Sequence, residues 1–333
     1  MVKKVTIIGS GSWGTALVKL FSDSSVSVRW LLRSKDQVDY ITKHGHNPRY
    51  LSFVKLAMDY VQPFCTAEEA IAGSELVIFA VPSAYLSQTA QKIPKDLLKN
   101  KPVAVSIKGF VSGTGQTPGM YLSNYFSIDK EKLLVIAGPC HAEEVGVQKS
   151  TYVTISSSNK ILVDKICSSL TSEYVHTVTN NDPVGVEYAA ILKNIIGIAS
   201  GVANGLHYGD NFQAVLVTNA MREASRFIDT IKIGVTSNRD LFQSAYFGDL
   251  LVTAYSDYSR NRTLGKLIGR GMHVEQALDA MEMVAEGFHA SRELAPILKK
   301  TNINLPVINS VHRILHHHAN PFHEFKLLEE QLN

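Results

Sequence analysis

The sequence predicts an α/β chain with a doubly wound sheet over residues 1–182 and an all-helical domain over 183–333. Three observations predict it. A glycine-rich turn stands directly behind the first apolar run. Continuous Val/Ile/Leu runs then alternate with helical stretches through the first half, and the texture changes to long helical periodicity at NNDPVGVEYAAILKN.

Val5, Ile7 and Ile8 read as a short buried strand, and Ala16 to Phe21 as a helix. Between them Gly9, Gly11 and Gly14 satisfy G-x-G-x-x-G. The first glycine permits a tight strand-to-helix turn, the second lets the backbone approach a pyrophosphate, and the third lets helix and strand pack closely. Free N–H groups and a partial positive charge at the helix N-terminus then face the phosphates. An ordinary strand–turn–helix is the competing reading.

Further strands are expected at VSVRWLL from Val26, LVIFAVP from Leu76, PVAVSIK from Pro102 and LLVIAGP from Leu133, followed by YVTISSS and EYVHTVT. Such runs suit a parallel sheet covered on both faces, and ligands of these sheets sit at the strands' carboxyl ends. The tails to watch are therefore Arg33, Pro82-Ser83, Lys108-Gly109 and Gly138-Pro139. At the start of the second half Asp182 is a good N-cap with Pro183 at the first helical position. Helices then follow, joined by loops at GLHYGDN, around Thr236 to Asn238, and at TNINLP.

A chain of 333 residues, 45% hydrophobic, supports about two domains. The net charge of +3 comes with Lys and Arg spread along the chain and no basic block beside stacked aromatics. Nucleic acid is not called for, whereas a small anionic substrate is compatible. Lys3 and Lys4 precede a run that ends at Gly9 without a cleavage site, and no stretch reaches the roughly 18 uninterrupted apolar residues of a membrane span. Stable membrane insertion is not expected. Cys65, Cys140 and Cys167 are odd in number and without metal-like spacing, which fits a reducing cytoplasm. Cys140 beside His141 lacks an orienting acid, and His316, His317 and His318 point three ways on a helix, so neither a thiol nucleophile nor a metal site is favoured.

No acid lies between Val26 and Lys35, and the second strand ends in Arg33-Ser34-Lys35. That tilts the cofactor toward NADP, or dual use with NAD, unless Arg33 merely caps the sheet edge. Trp13 either packs over a cofactor or fills the helix–strand interface. Lys108 should lie at the sheet's carboxyl edge. Lys193, among Ile and Leu, is a candidate for proton transfer if it does not snorkel to solvent. Gly197, Gly201 and Gly205 follow on nearly the same helical face, where glycine is costly unless close approach matters. Asp249 supplies an acid, and Ser259, Arg260 and Asn261 form a donor-rich cluster suited to phosphate.

Together these motifs resemble the NAD(P)-dependent sn-glycerol-3-phosphate dehydrogenases, particularly the bacterial type, along nearly the whole chain. The matching pieces are GSGSWGTAL, NPRYL, FAVPS, the Lys-Gly of SIKGF, GP-x-x-AEEV, ILKNIIGIASGVANGL, GDN, GDLLVTAYSDYSRNRTLG and AEG. The resemblance implies a Rossmann-like domain, a helical substrate domain and interconversion of dihydroxyacetone phosphate and sn-glycerol 3-phosphate. It makes Lys193 the general acid/base and places Lys108 at substrate and cofactor. It puts Asp249, Ser259, Arg260, Asn261, Gly138 and Cys140 at the substrate. It puts Gly9, Gly11, Ser12, Trp13, Gly14, Arg33, Tyr50, Ala142, Arg260 and Glu286 at the cofactor. It also suggests a homodimer and a role in phospholipid synthesis.

This chain departs from the family at Cys140, where serine is usual, at Gln213 and Asn219, where Lys and Arg are common, and at Ser52 after Tyr50-Leu51. The rival readings are another two-domain β-hydroxyacid or phosphosugar dehydrogenase and a non-catalytic NADPH sensor. The segment DLLVTAYSDYSRNRTLG argues against the first, and the presence of Lys193, Asp249 and Arg260 against the second.

Overall fold

The computed structural model describes residues 1–231, 239–281 and 285–333. It divides into two compact units, Met1–Ile107 with Gln116–Glu187, and Lys108–Gly115 with Tyr188–Asn333. The loop expected around Thr236 to Asn238 lies outside the described residues.

The first unit carries the eight strands β1 (Lys4–Ile8), β2 (Ser27–Leu31), β3 (Val61–Phe64), β4 (Leu76–Phe79), β5 (Val103–Val105), β6 (Leu133–Ala137), β7 (Thr151–Ser156) and β8 (Val175–Asn180). Their order in one sheet is β3-β2-β1-β4-β5-β6-β7-β8. Around them run α1 (Ser12–Asp23), α2 (Lys35–His44), α3 (Ala67–Ile71), α4 (Leu86–Gln91), α5 (Pro118–Phe126), α6 (Ala142–Gly146) and α7 (Lys160–Cys167). The runs LVIF, VAV and LLVIA are buried at every position, as central strands covered on both faces must be. Strand order reverses between β1 and β4, which makes their carboxyl ends the switch point where such sheets bind ligands.

Two features differ from the expected parallel sheet. β3 has no continuous apolar signal, and its Pro63 has no N–H to give; the strand survives because it lies at the edge, paired on one side with β2. β7 runs antiparallel to β6, unlike every other pair. The stretch between them holds only the five-residue α6, less than the full crossover helix that a parallel return commonly uses.

Asp182 caps the long helix α8 (Pro183–Gly205) as its sequence predicts, accepting from the N–H of Gly185 at 3.0 Å. Glu187, still in the first unit, is wholly buried and accepts from the Gly119 N–H at 2.7 Å and the Thr117 hydroxyl at 2.9 Å, so it closes the N-terminus of α5. Burial pushes its carboxyl up to about 7 in spite of these donors.

The second unit continues α8 and adds α9 (Asp210–Ile231), α10 (Asp249–Tyr255), α11 (Arg260–Gly269), α12 (Val274–Asp279), α13 (Glu286–Thr301), α14 (Pro306–His317) and α15 (Pro321–Glu329). Among the described residues α8 is the one helix long and apolar enough to cross a membrane, and its apolar window is entirely buried. Its Gly201 and Gly205 meet α11 backbone to backbone. A Cβ on Gly201 would collide with the Arg262 carbonyl, one on Gly205 with that of Lys266, and one on Gly265 with that of Ile198. Glu223 of α9 caps α14 through the N–H groups of Val307 (2.7 Å) and Ile308 (3.1 Å); burial raises its carboxyl to about 7.

Candidate active site

The glycine turn of the first unit divides its labour as the spacing predicts. Gly9 has φ +130°, and a Cβ there would strike the Ala80 carbonyl. A Cβ on Gly14 would strike the carbonyl of Gly9, so this glycine sets the close packing of α1 on the turn. Gly11, by contrast, has nothing within 4 Å of where its Cβ would stand. It is also the N-cap of α1, with no side-chain cap and no acidic residue in the first turn. Open space over Gly11 and first-turn N–H groups without a side-chain cap fit the pyrophosphate of a dinucleotide.

Neighbouring side chains fix this turn. Trp30 Nε1 donates to the Gly9 carbonyl at 2.7 Å. Trp13 Nε1 donates to the Ser106 hydroxyl at 2.7 Å, which passes its own proton to the Ile136 carbonyl at 2.8 Å; the ring is thereby anchored beyond β5. Buried Asn47 donates to the Ser10 carbonyl (3.0 Å) and the Thr15 hydroxyl (2.8 Å), and accepts from the N–H groups of Arg49 and Tyr50. The NPRYL loop, and Tyr50 with it, is thus tied to the turn. Ser12 is buried in the first turn of α1, and Arg33 is exposed just past β2, next to the N-cap Ser34 of α2. Gly138 follows β6 through a cis peptide to Pro139, its carbonyl accepting from the Thr154 hydroxyl at 2.9 Å. Cys140 is buried two residues on, and Ala142 opens α6.

The second unit holds the reactive pair. Lys193 of α8 and Asp249, first residue of α10, meet at 2.6 Å with side chains 5% and 1% exposed. Lys193 therefore does not snorkel. One helical step away, Asn194 donates to the Lys108 carbonyl at 2.7 Å and accepts from Asn261 Nδ2 at 2.9 Å. Asn261 Oδ1 accepts from the Gly287 N–H at 2.9 Å, next to Glu286 at the start of α13. This chain of amides joins four segments that carry predicted site residues. Asn261 stands out in the sequence within its donor-rich cluster, whereas the signal at Asn194 is only that an amide inside an otherwise apolar helix has to find partners when buried.

Ser259 is the N-cap of α11 and accepts from the Arg262 N–H. Arg260 and Asn261 form its first turn, which contains no acid. Arg262 is paired with Asp257 at 2.7 Å, whereas Arg260 is in no ion pair among the described residues. A helix N-terminus, an uncommitted guanidinium and no nearby carboxylate in the turn are suited to a phosphate. Gln213, where a charge was expected, is buried and locked to Ser200 through both ends of its amide; Asn219 binds the backbone of Asn333. Both amides thus serve as internal ties. His316 turns inward to Ser291, whereas His318 is exposed as the left-handed C-cap beyond the end of α14; among the described residues no three His, Cys, Asp or Glu converge on a metal position.

A Rossmann-type turn in one unit and a buried lysine–carboxylate pair beside a phosphate-suited helix in the other define a dinucleotide-dependent dehydrogenase. Residues 4–163 match the family model of the NAD-dependent glycerol-3-phosphate dehydrogenase N-terminus, and residues 182–326 that of its C-terminus. The chain belongs to the NAD-dependent glycerol-3-phosphate dehydrogenase family. It is 31% identical over 323 residues to a glycerol-3-phosphate dehydrogenase [NAD(P)+] of Shouchella clausii, covering 96% of this chain and 94% of that one. It is 33% identical over 314 residues to the enzyme of the same name from Staphylococcus aureus, covering 94% and 93%. The crystal structure of glycerol-3-phosphate dehydrogenase from Coxiella burnetii superimposes with a TM-score of 0.88 at 27% identity, over 99% of both chains.

Proposed function

We propose that this protein interconverts dihydroxyacetone phosphate and sn-glycerol 3-phosphate with NAD(P)H. The observation that carries this reading is the buried Lys193–Asp249 pair, set one helical turn from the phosphate-suited start of α11. The first unit is the nucleotide-binding domain and the second the substrate-binding domain, the change of role along the chain falling near residue 182. Gly9, Gly11, Ser12, Trp13, Gly14, Tyr50 and Ala142 hold the dinucleotide. Arg33 receives the 2′-phosphate and gives a preference for NADPH. Lys108, Arg260 and Glu286 complete the cofactor contacts.

A bound reduced nicotinamide supplies the hydride. The rest of the chemistry belongs to the side chains. Negative charge grows on the former carbonyl oxygen, so the Lys193 ammonium stabilises it and delivers the proton. Asp249 keeps that ammonium charged and oriented. Arg260, with Ser259 and the first-turn N–H groups of α11, binds the substrate phosphate, and that binding energy positions the carbonyl. Because both side-chain ends of Asn261 are engaged, its contribution comes from its backbone N–H or its second amide proton. Lys108, held at its carbonyl by Asn194, contacts the substrate, as do Gly138 and Cys140, the latter without the serine's stronger hydroxyl donor. The protein acts as a cytoplasmic homodimer without stable membrane insertion and supplies glycerol 3-phosphate for phospholipid synthesis.

Initial rates with dihydroxyacetone phosphate and NADPH or NADH, against 6-phosphogluconate-type and β-hydroxyacid substrates supplied with NADP+ or NAD+, test this reading. Oxidation of either cofactor with dihydroxyacetone phosphate alone supports it. Turnover confined to another substrate replaces it with the two-domain hydroxyacid or phosphosugar alternative, and binding without turnover replaces it with the sensor.

A further inference from the structure

Away from Lys193 the second unit has an open cavity of about 420 Å³ between α13, α14 and the loop that joins them. That volume lies within the range of small-molecule sites. Ala295, Leu298, Ile303 and Ile308 give it an apolar floor. Lys299 supplies one cation, exposed and in no ion pair among the described residues, and no acidic residue lines the space. His312 donates from Nδ1 to the Ser291 carbonyl (3.1 Å); burial and the neighbouring His317, Arg313 and Arg292 push the ring below the usual histidine pKa in spite of that bond. The Ser291 hydroxyl donates to the Phe288 carbonyl (2.9 Å) and so accepts from His316 Nε2 (2.8 Å). The wall beneath the cavity is therefore built and internally satisfied.

We propose that this cavity binds a small amphipathic anion, a carboxylate or phosphate monoester on a short apolar chain, and that its occupancy stiffens α13. One cation without a competing acid selects an anion, and the four-residue floor selects an apolar body. The link to the rest of the unit is α13 itself. Lys299 lies twelve residues from Gly287, roughly 18 Å along the helix, and Gly287 donates to Asn261 and packs on the Asn194 carbonyl. Pro296, the residue after the cavity-lining Ala295, removes the N–H that would bond the Arg292 carbonyl, so the helix is weakened beside the place where the ligand would brace it.

Titration calorimetry of the full chain with n-octyl phosphate and with octanoate tests the site, with inorganic phosphate and octanol as controls. At least one amphiphile is expected to bind at one site per chain with a Kd below about 1 mM. Lys299→Gln should weaken that binding about tenfold, and Ala295→Phe, which fills the floor, should abolish it. Preference for octyl phosphate assigns a phosphate monoester, and preference for octanoate assigns a carboxylate. No saturable binding, octanol binding as well as either anion, or affinity unchanged in both variants would overturn the proposal. Hydrogen exchange of the Gly287 amide, a readout independent of turnover, should slow on binding in wild type and not in Ala295→Phe; unchanged exchange under saturating ligand overturns the stiffening.

Discussion

Replacing Lys193 with alanine removes a proton donor and also the counter-charge of Asp249, and these two losses separate in a double-mutant cycle. Both side chains are almost fully buried at 2.6 Å. Removing one member of such a pair strands the other charge and costs about 3–5 kcal/mol of stability. Removing both, as in Lys193→Met with Asp249→Leu, strands neither, so the double variant should be more stable than the sum of the singles predicts by at least about 2 kcal/mol. Activity behaves differently. Loss of a positioned general acid costs about 10²–10⁴ in rate, or about 3–5 kcal/mol of barrier, and the double variant should recover none of it. The assays are chemical denaturation and initial rates with dihydroxyacetone phosphate, corrected for folded fraction. Additive stabilities would show that the pair is not closed in solution. A fall in kcat/KM of less than tenfold in Lys193→Ala would remove the lysine as proton donor.

Other perturbations follow from the same contacts. Asn194→Ala cuts the amide chain at Lys108 and Asn261 and should lower kcat/KM for dihydroxyacetone phosphate about tenfold or more and weaken dinucleotide binding with it, since Lys108, Arg260 and Glu286 lie on the segments it ties; steady-state kinetics beside a cofactor titration reads this. Gly11→Ala should leave the melting temperature close to wild type and weaken dinucleotide binding, whereas Gly201→Ala should lose about 1–3 kcal/mol by driving α8 from α11. Glu223 is raised from 4.5 to about 7 in the fold, so the folded state holds its proton more tightly and this group's contribution falls as pH climbs from about 4.5 to about 7. The stability difference between wild type and Glu223→Gln should shift by about 3 kcal/mol across that window. The difference is the quantity to measure, because His316, lowered to about 4 by burial, contributes with the opposite sign between about 4 and 6.5. Arg33→Ala should raise KM for NADPH at least about fivefold and leave that for NADH within about twofold; equal changes for both cofactors would leave Arg33 as a cap on the sheet edge.

What the sequence disclosed follows the range of the forces involved. The turn at Gly9, Gly11 and Gly14 and the cap at Asp182 rest on contacts a few residues apart, and both stand where the pattern puts them. The buried strands are legible because every position in LLVIA must be apolar. β3 is not, because an edge strand with one neighbour needs neither an apolar run nor a full set of N–H donors. The direction of β7 depends on how the chain returns after β6, which hydrophobicity does not encode. In the second unit the Lys193–Asp249 contact spans 56 positions, so the sequence offers two candidates and the fold brings them together. Asn194 carries no strong mark in the sequence because its value lies in two partners from distant segments, Lys108 and Asn261. Gln213 and Asn219 stand where Lys and Arg are common in the family, and in place Gln213 is an internal tie to Ser200.

The glycine contacts between α8 and α11 make a gauge. Lys193 stands on one of these helices and Arg260 begins the other, and at Gly201, Gly205 and Gly265 main chain rests on main chain, with no side chain at those points to be swapped or tilted. The spacing from proton donor to phosphate anchor is therefore a dimension of the backbone. Repacking can alter which groups surround a substrate, but a longer or shorter carbon skeleton would still find its two ends measured against the same fixed interval.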